Sequence, residues 1–169
     1  MAVGSSAMCG TFKREILAGI HRWTQHTRTG SSAISADTFK IAMFTNSSSI
    51  DADTTGYTTS NEVSGTNYTA GGEALGSVTL GLADNSSSVP TSFLDFADTT
   101  WSSSTISSAR GALIYNSTLS TAGTGSTTNH AANPSVAVIN FGGDKSSSSG
   151  DFTIQYPAND ANNAIIRIA

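Results

Sequence analysis

From Thr38 to the end of the chain, apolar residues come in short runs, and most of these runs alternate. TFKIAMF (Thr38–Phe44) puts Phe39, Ile41 and Met43 on one face, and GSVTLGL (Gly76–Leu82) does the same with Val78, Leu80 and Leu82. TSFLDFA (Thr91–Ala97) sets Leu94 and Phe96 opposite Phe93 and Asp95. ARGALIYN (Ala109–Asn116), SVAVINF (Ser135–Phe141), FTIQY (Phe152–Tyr156) and AIIRIA (Ala164–Ala169) complete the series, with weaker strands at TNYTA (Thr66–Ala70) and TWSSSTI (Thr100–Ile106). Successive side chains of a strand point to opposite faces, so a period of two marks a half-buried strand. Clusters of turn-formers separate the runs: NSSSIDAD, AGGE, ADNSSSVP, TAGTGSTTNHAANP and GGDKSSSSG. The pattern predicts an antiparallel β-sandwich, jelly-roll or immunoglobulin-like, over residues 37–169. No constant period emerges, which argues against a propeller or β-helix. The long Ser117–Pro134 loop is the best candidate for a mobile or partner-contacting segment.

Residues 1–36 read as an N-terminal arm with one amphipathic helix, Thr11 to Thr24. Phe12, Ile16, Leu17, Ile20 and Trp23 recur at helical spacing and form one apolar stripe, with Lys13, Arg14 and Arg22 largely off it. Thr11 can cap the first turn, and Gly19 weakens the helix by about 1 kcal/mol relative to Ala. So short a helix is marginal alone, so its stripe packs on the body or on a neighbouring subunit.

Composition limits the chemistry. Of 169 residues, 51 are Ser or Thr and 12 % are charged, well below the roughly 25 % of average domains. Residues 1–40 carry Lys13, Arg14, Arg22, Arg28 and Lys40 against Glu15 and Asp37, a net +3, while the rest carries a net −7. The acidic body repels phosphate, so direct nucleic-acid binding is not expected. No apolar run approaches the about 20 residues of a membrane span, and no signal peptide is evident at the start. The single Cys9 excludes an internal disulfide and reads as a small buried group.

Catalytic material is thin. His21 and His26 stand five apart, not the four that aligns two helix ligands, and no G-x-S-x-G elbow accompanies the serines. The chain is therefore not expected to be an enzyme or to carry a cofactor. DADTTGYTTSNE (Asp51–Glu62) resembles a calcium loop, with Asp51, Asp53 and Glu62 at positions 1, 3 and 12 and Gly56 at 6. No helix is predicted on either side, so the competing reading is a turn whose Asp and Asn side chains bond their own backbone. Asp95 and Asp98 are a second weak oxygen-ligand pair with the same alternative.

AMCGTFKREILAGIHRW (Ala7–Trp23) resembles a group of tailed-bacteriophage virion proteins that share an A-M-C-x-x-F-K-x-E-I-L-x-G-x-H start. Ala7, Met8, Cys9, Phe12, Lys13, Glu15, Ile16, Leu17, Gly19 and His21 match it. The likeness continues through DTFKIAMFT, NEVSGTNYTAGGE, DFADTTW, ARGALIYN, FGGDKSSSSGDFTIQYP and AIIRIA, nearly the whole chain. TQHTRTGSSA (Thr24–Ala33) and the Ser117–Pro134 loop depart from it. The group is similar to small β-rich cement or decoration proteins on the outer surface of icosahedral heads. The resemblance implies many copies, no catalysis, binding to the major capsid protein and a homotrimer over the three-fold positions. It implies a virion location after synthesis in the host cytoplasm. Phe12, Ile16, Leu17, Ile20 and Trp23, with Lys13 and Arg14, are the expected docking residues. The alternatives are a tail or neck component, or a receptor- or carbohydrate-binding module in which Trp101, Tyr57, Tyr68 and Tyr115 stack on sugars.

Overall fold

The computed structural model describes residues 2–25, 27, 32–125 and 129–169. His26, and parts of both the 24–33 segment and the Ser117–Pro134 loop, lie outside the described residues. In chain order the elements are β1 (Ala7–Met8), α1 (Gly10–Leu17), β2 (Phe39–Thr45), β3 (Gly65–Thr66) and β4 (Glu73–Ala74). They continue with β5 (Thr79–Asp84), β6 (Pro90–Asp95), β7 (Thr99–Asn116), β8 (Ser135–Ile154) and β9 (Ile166–Ile168). The fold is mainly β, with antiparallel sheets and an N-terminal helix, the class that the alternating runs predict. The chain divides into two compact units, residues 1–74 with 101–152, and residues 75–100 with 153–169. Residues of the expected arm thus share the first unit with β2 and most of β7 and β8.

In the first unit the sheet order is β1-β8-β7-β2-β4, and β3 joins β7 beyond the end of β2. β2 pairs with β7 from Phe39↔Asn116 to Phe44↔Gly111, and the register then shifts at Thr45. Phe39, Ile41, Ala42, Met43 and Phe44 are all buried, not only the alternate residues. Both faces of β2 are covered. Trp23 stacks on Phe39 at 3.7 Å on one face, and Tyr57 stacks on Tyr115, the partner of Lys40, at 4.5 Å on the other. A strand covered twice needs apolar residues at successive positions.

GGDKSSSSG, expected as a turn, lies inside the 20-residue β8, and TWSSSTI and ARGALIYN are one 18-residue β7. Hydroxyls make these serine-rich stretches strand-competent. Ser147 Oγ accepts from Ile106 N–H, Ser146 Oγ from Ser108 N–H, and Thr105 Oγ1 from Ser149 N–H. Ser103, Ser108 and Ser149 have φ of 51°, 57° and 49°, in the left-handed region. Side-chain hydroxyls pair backbone N–H groups along this irregular stretch.

The helix is shorter than expected and starts differently. It ends at Leu17 because Gly19, at φ 67°, closes a Schellman motif: Ile20 N–H donates to Glu15 O and Gly19 N–H to Ile16 O. Gly19 is the stop, not a weak point in a longer helix. Thr11 does not cap it; Cys9 holds the N-cap position without a side-chain bond. Backbone carbonyls serve instead, with Cys9 N–H donating to Val136 O and Gly10 N–H to Ala52 O.

The second unit holds the sheet β5-β6-β9. Leu80 pairs with Leu94, which pairs with Ile166; Leu82 pairs with Ser92, which pairs with Ile168.

Candidate functional site

The short helix and the turn after it assemble a buried polar chain in the first unit. Glu15, on the inner side of α1 with Phe12, is buried. The turn at Gly19 brings His21 back beneath it, Nε2 2.8 Å from Glu15 Oε2. His21 Nδ1 accepts from Asn116 Nδ2 at 3.1 Å, and the same amide nitrogen donates to Asp37 Oδ2 at 2.8 Å. Asn116 Oδ1 accepts from Thr118 N–H at 3.0 Å. Asn116 thus uses both amide hydrogens, which leaves His21 Nε2 as the donor to Glu15. Asp37 is also held by Arg22, through its backbone N–H at 3.0 Å and its Nε and Nη2 at 3.1 and 2.8 Å. Both guanidinium nitrogens donate to Oδ1 and the backbone N–H to Oδ2, so three charge-assisted bonds orient the carboxylate. Phe12, Trp23 and Phe39 surround the His21 ring at centroid distances of 5.0, 6.4 and 6.0 Å.

Of the expected docking residues, Phe12 is fully buried, and Ile16, Ile20 and Trp23 are half-buried. They are core contacts more than an open stripe, because the chain turns at Gly19 and folds Trp23 back onto Phe12 and Phe39. Leu17, by contrast, is 90 % exposed. Lys13 and Arg14 are exposed too, with Arg14 donating to Asn129 O and lying 3.7 Å from Glu15 Oε1. Of the expected docking residues, the outward ones are therefore Lys13, Arg14 and Leu17.

A second node sits on the 57–72 excursion. Glu62 Oε2 accepts from Tyr57 Oη at 2.6 Å, and Oε1 accepts from Tyr68 Oη at 2.8 Å and Gly71 N–H at 2.7 Å. Tyr68 Oη accepts from Met43 N–H, and Tyr115 Oη donates to Gly71 O. Burial, and then the Glu62 carboxylate, hold Tyr57 well above an ordinary tyrosine. Burial does most of the same for Tyr68, against the opposing hydrogen bond from Met43. Tyr115 is pushed up to about 12, chiefly by burial and then by Glu62.

The calcium-loop residues are not brought together. Glu62 is committed to the tyrosines, while Asp51 Oδ1 accepts from Asp53 N–H at 2.9 Å in a local turn. Among the described residues no group of three His, Cys, Asp or Glu side chains is placed to hold a metal ion. In the second unit Asp95 accepts from Phe96 N–H and Asp98 from Tyr156 N–H, each in its own backbone contact. Burial raises the Asp95 carboxyl, opposed by that backbone bond, and Asp98 adds a smaller push. Trp101 and Tyr115 are buried, and Trp101 packs between Tyr68 and Phe152, so neither ring is presented for stacking on a sugar. Burial also raises the Cys9 thiol. Among the described residues no helix is long and apolar enough to cross a membrane.

The sequence pattern misses the Glu15–His21–Asn116–Asp37–Arg22 chain. One signal was present: Glu15 follows Phe12 by three residues, which places both on one side of a helix. In comparisons with known proteins, no family model, curated protein or solved structure matches this chain.

Proposed function

We propose that the chain is a structural protein of a tailed-bacteriophage virion. In this reading it is a decoration or cement protein that binds the outer surface of the major capsid protein lattice and stabilises the head. It acts by binding rather than by turnover, in many copies, with self-association into a homotrimer. The observation that carries the reading is how the fold uses its reactive side chains. Glu15, His21, Asp37 and Glu62 tie chain segments to one another and leave a hydroxyl-rich, weakly charged exterior. Such an exterior suits wet, polar contacts between copies. A shell lattice multiplies weak contacts, so no single site need be tight.

The motif that resembles virion proteins supports the same reading. Cys9, Phe12, Glu15, Gly19 and His21 build the N-terminal fold, while Lys13 and Leu17 point outward without a structural task. Lys13 and Leu17 are the docking residues in this proposal. Removing residues 1–28 would also remove Val3, Phe12, Glu15 and His21 from the core, so point variants are the cleaner test. The purified chain, mixed with heads that lack it, is expected to co-sediment and saturate at a fixed ratio to the major capsid protein. Lys13→Glu with Leu17→Ser should abolish co-sedimentation while the circular dichroism spectrum is unchanged. No binding of the unaltered chain to heads would refute the proposal.

A further inference from the structure

The second unit presents an apolar sheet face that ends at an open edge. In the register of β5, β6 and β9, Leu80, Leu94 and Ile166 form one cross-strand row, and Leu82, Ser92 and Ile168 the next. Directly paired residues share a face. Leu94 and Ile166 are buried, but Leu80, Leu82 and Ile168 are 50 %, 72 % and 48 % exposed. β5 lies at the edge of this sheet, and among the described residues no strand pairs with its outer side. Edge strands of isolated proteins are usually guarded by Lys, Pro or inward-pointing charge. Thr79–Asp84 has neither Lys nor Pro, and its single charge, Asp84, stands at its end.

We infer that β5 pairs antiparallel with β5 of a second copy of this chain, across a two-fold axis at Gly81, and joins two three-stranded sheets into one of six strands. The free backbone groups of an edge call for an extended strand as occupant. One feature selects a second copy, and charge then selects the antiparallel orientation. The sequence Leu80-Gly81-Leu82 reads the same in both directions, so antiparallel pairing centred on Gly81 sets each Leu80 against Leu82 of the other copy. The four leucines then cover one another on the face already occupied by Leu94 and Ile166. Charge fits as well: antiparallel pairing separates the two Asp84 carboxylates to opposite ends, whereas parallel pairing would set them side by side. At the axis itself, Gly81 leaves room for the Phe93 ring, whose Cζ would lie 2.2 Å from a Cβ there. That interface is small, so the pair is expected to dissociate in the micromolar range.

The inference does not rest on the decoration reading, because its test uses the free protein without heads. Analytical ultracentrifugation of the full chain at about 100 μM, well above a micromolar dissociation constant, should show paired copies that separate on dilution. Leu80→Lys with Leu82→Lys, at exposed positions, should halve the sedimenting mass while the circular dichroism spectrum is retained. In the proposed register Thr79 of one copy faces Ala83 of the other. Thr79→Cys with Ala83→Cys should therefore yield a disulfide-linked dimer under oxidising conditions, where the unaltered chain, with Cys9 buried, yields none. An unaltered chain that sediments as a monomer, or as a lone trimer, at this concentration would overturn the inference and leave the edge to another protein's strand. Pairs that survive the double lysine variant, or a double cysteine variant that does not cross-link, would also overturn it.

Discussion

Glu15 Oε2 lies 2.8 Å from His21 Nε2, and the two side chains are shielded from solvent. This contact folds the segment after α1 back under the helix and connects it, through Asn116, to Asp37 at the entrance to β2. His21→Ala would leave the Glu15 carboxylate buried without its hydrogen-bond donor. The expected loss is about 3 kcal/mol, which for a chain of this size lowers Tm by about 6–12 °C. Lys13→Ala, on the exposed side of the same helix, should change stability by less than about 0.5 kcal/mol. Thermal unfolding followed by circular dichroism checks both.

Asn116→Asp tests the same chain by charge at nearly constant shape. It places a carboxylate beside Asp37, which already accepts from Asn116 Nδ2 at 2.8 Å. Two carboxylates at this distance do not both ionise readily. The variant should be destabilised at pH 7, and its deficit relative to the unaltered chain should shrink toward pH 4, where one carboxyl takes up a proton. Urea unfolding at the two pH values measures the difference; an equal deficit at both would contradict the proposed contact.

Gly19 and Gly72 have similar backbone angles, φ 67° and 68°, but different surroundings. A Cβ at Gly19 would meet nothing within 4 Å, whereas one at Gly72 would lie 1.8 Å from Ile41 O. Gly19→Ala should therefore cost only the left-handed strain of about 1–2 kcal/mol. Gly72→Ala must also displace the backbone of β2 and should cost clearly more. Denaturant midpoints of the two variants give the comparison.

The tyrosines predict an alkaline limit to stability. The chain has four, Tyr57, Tyr68, Tyr115 and Tyr156, and all ionise above the ordinary value of 10 in the folded state. Tyr115 and Tyr156 are pushed up to about 12, in both cases mainly by burial. The folded state holds these protons more tightly than the unfolded chain, so their contribution to stability is complete below pH 10. It falls as the pH rises through 12. A near-ultraviolet titration should show little tyrosinate at pH 10, where a free tyrosine is about half ionised, and a cooperative rise on unfolding at higher pH. Half-ionised tyrosine at pH 10 in the folded protein would contradict this.

Apolar runs made β2, β5, β6, the second half of β7 and the start of β8 legible, the first three by alternation and the start of β8 by its continuous apolar centre. The outer half of β8 did not, since its residues 142–151 are exposed or half-exposed and its pairing uses serine hydroxyls that sequence patterns assign to loops. Apolar spacing also extended the helix past Gly19. Helical periodicity cannot distinguish a stripe that continues from one that reverses at a left-handed glycine. The buried polar chain draws on Glu15, His21, Asp37 and Asn116, separated by up to about a hundred positions, and the turn at Gly19 and the β2–β7 register together assemble it. Exposure of Leu17, Leu80 and Leu82 was equally hidden, because an outward leucine and a core leucine have the same place in a pattern.

Quantitative mass spectrometry of purified virions of the phage proposed to encode this chain tests the proposed role most directly. As a decoration protein it should be present at a copy number of the same order as the major capsid protein, and it should be released from intact heads before the shell dissociates. Its absence from the particles, or a stoichiometry of only a few copies in each, would contradict the account.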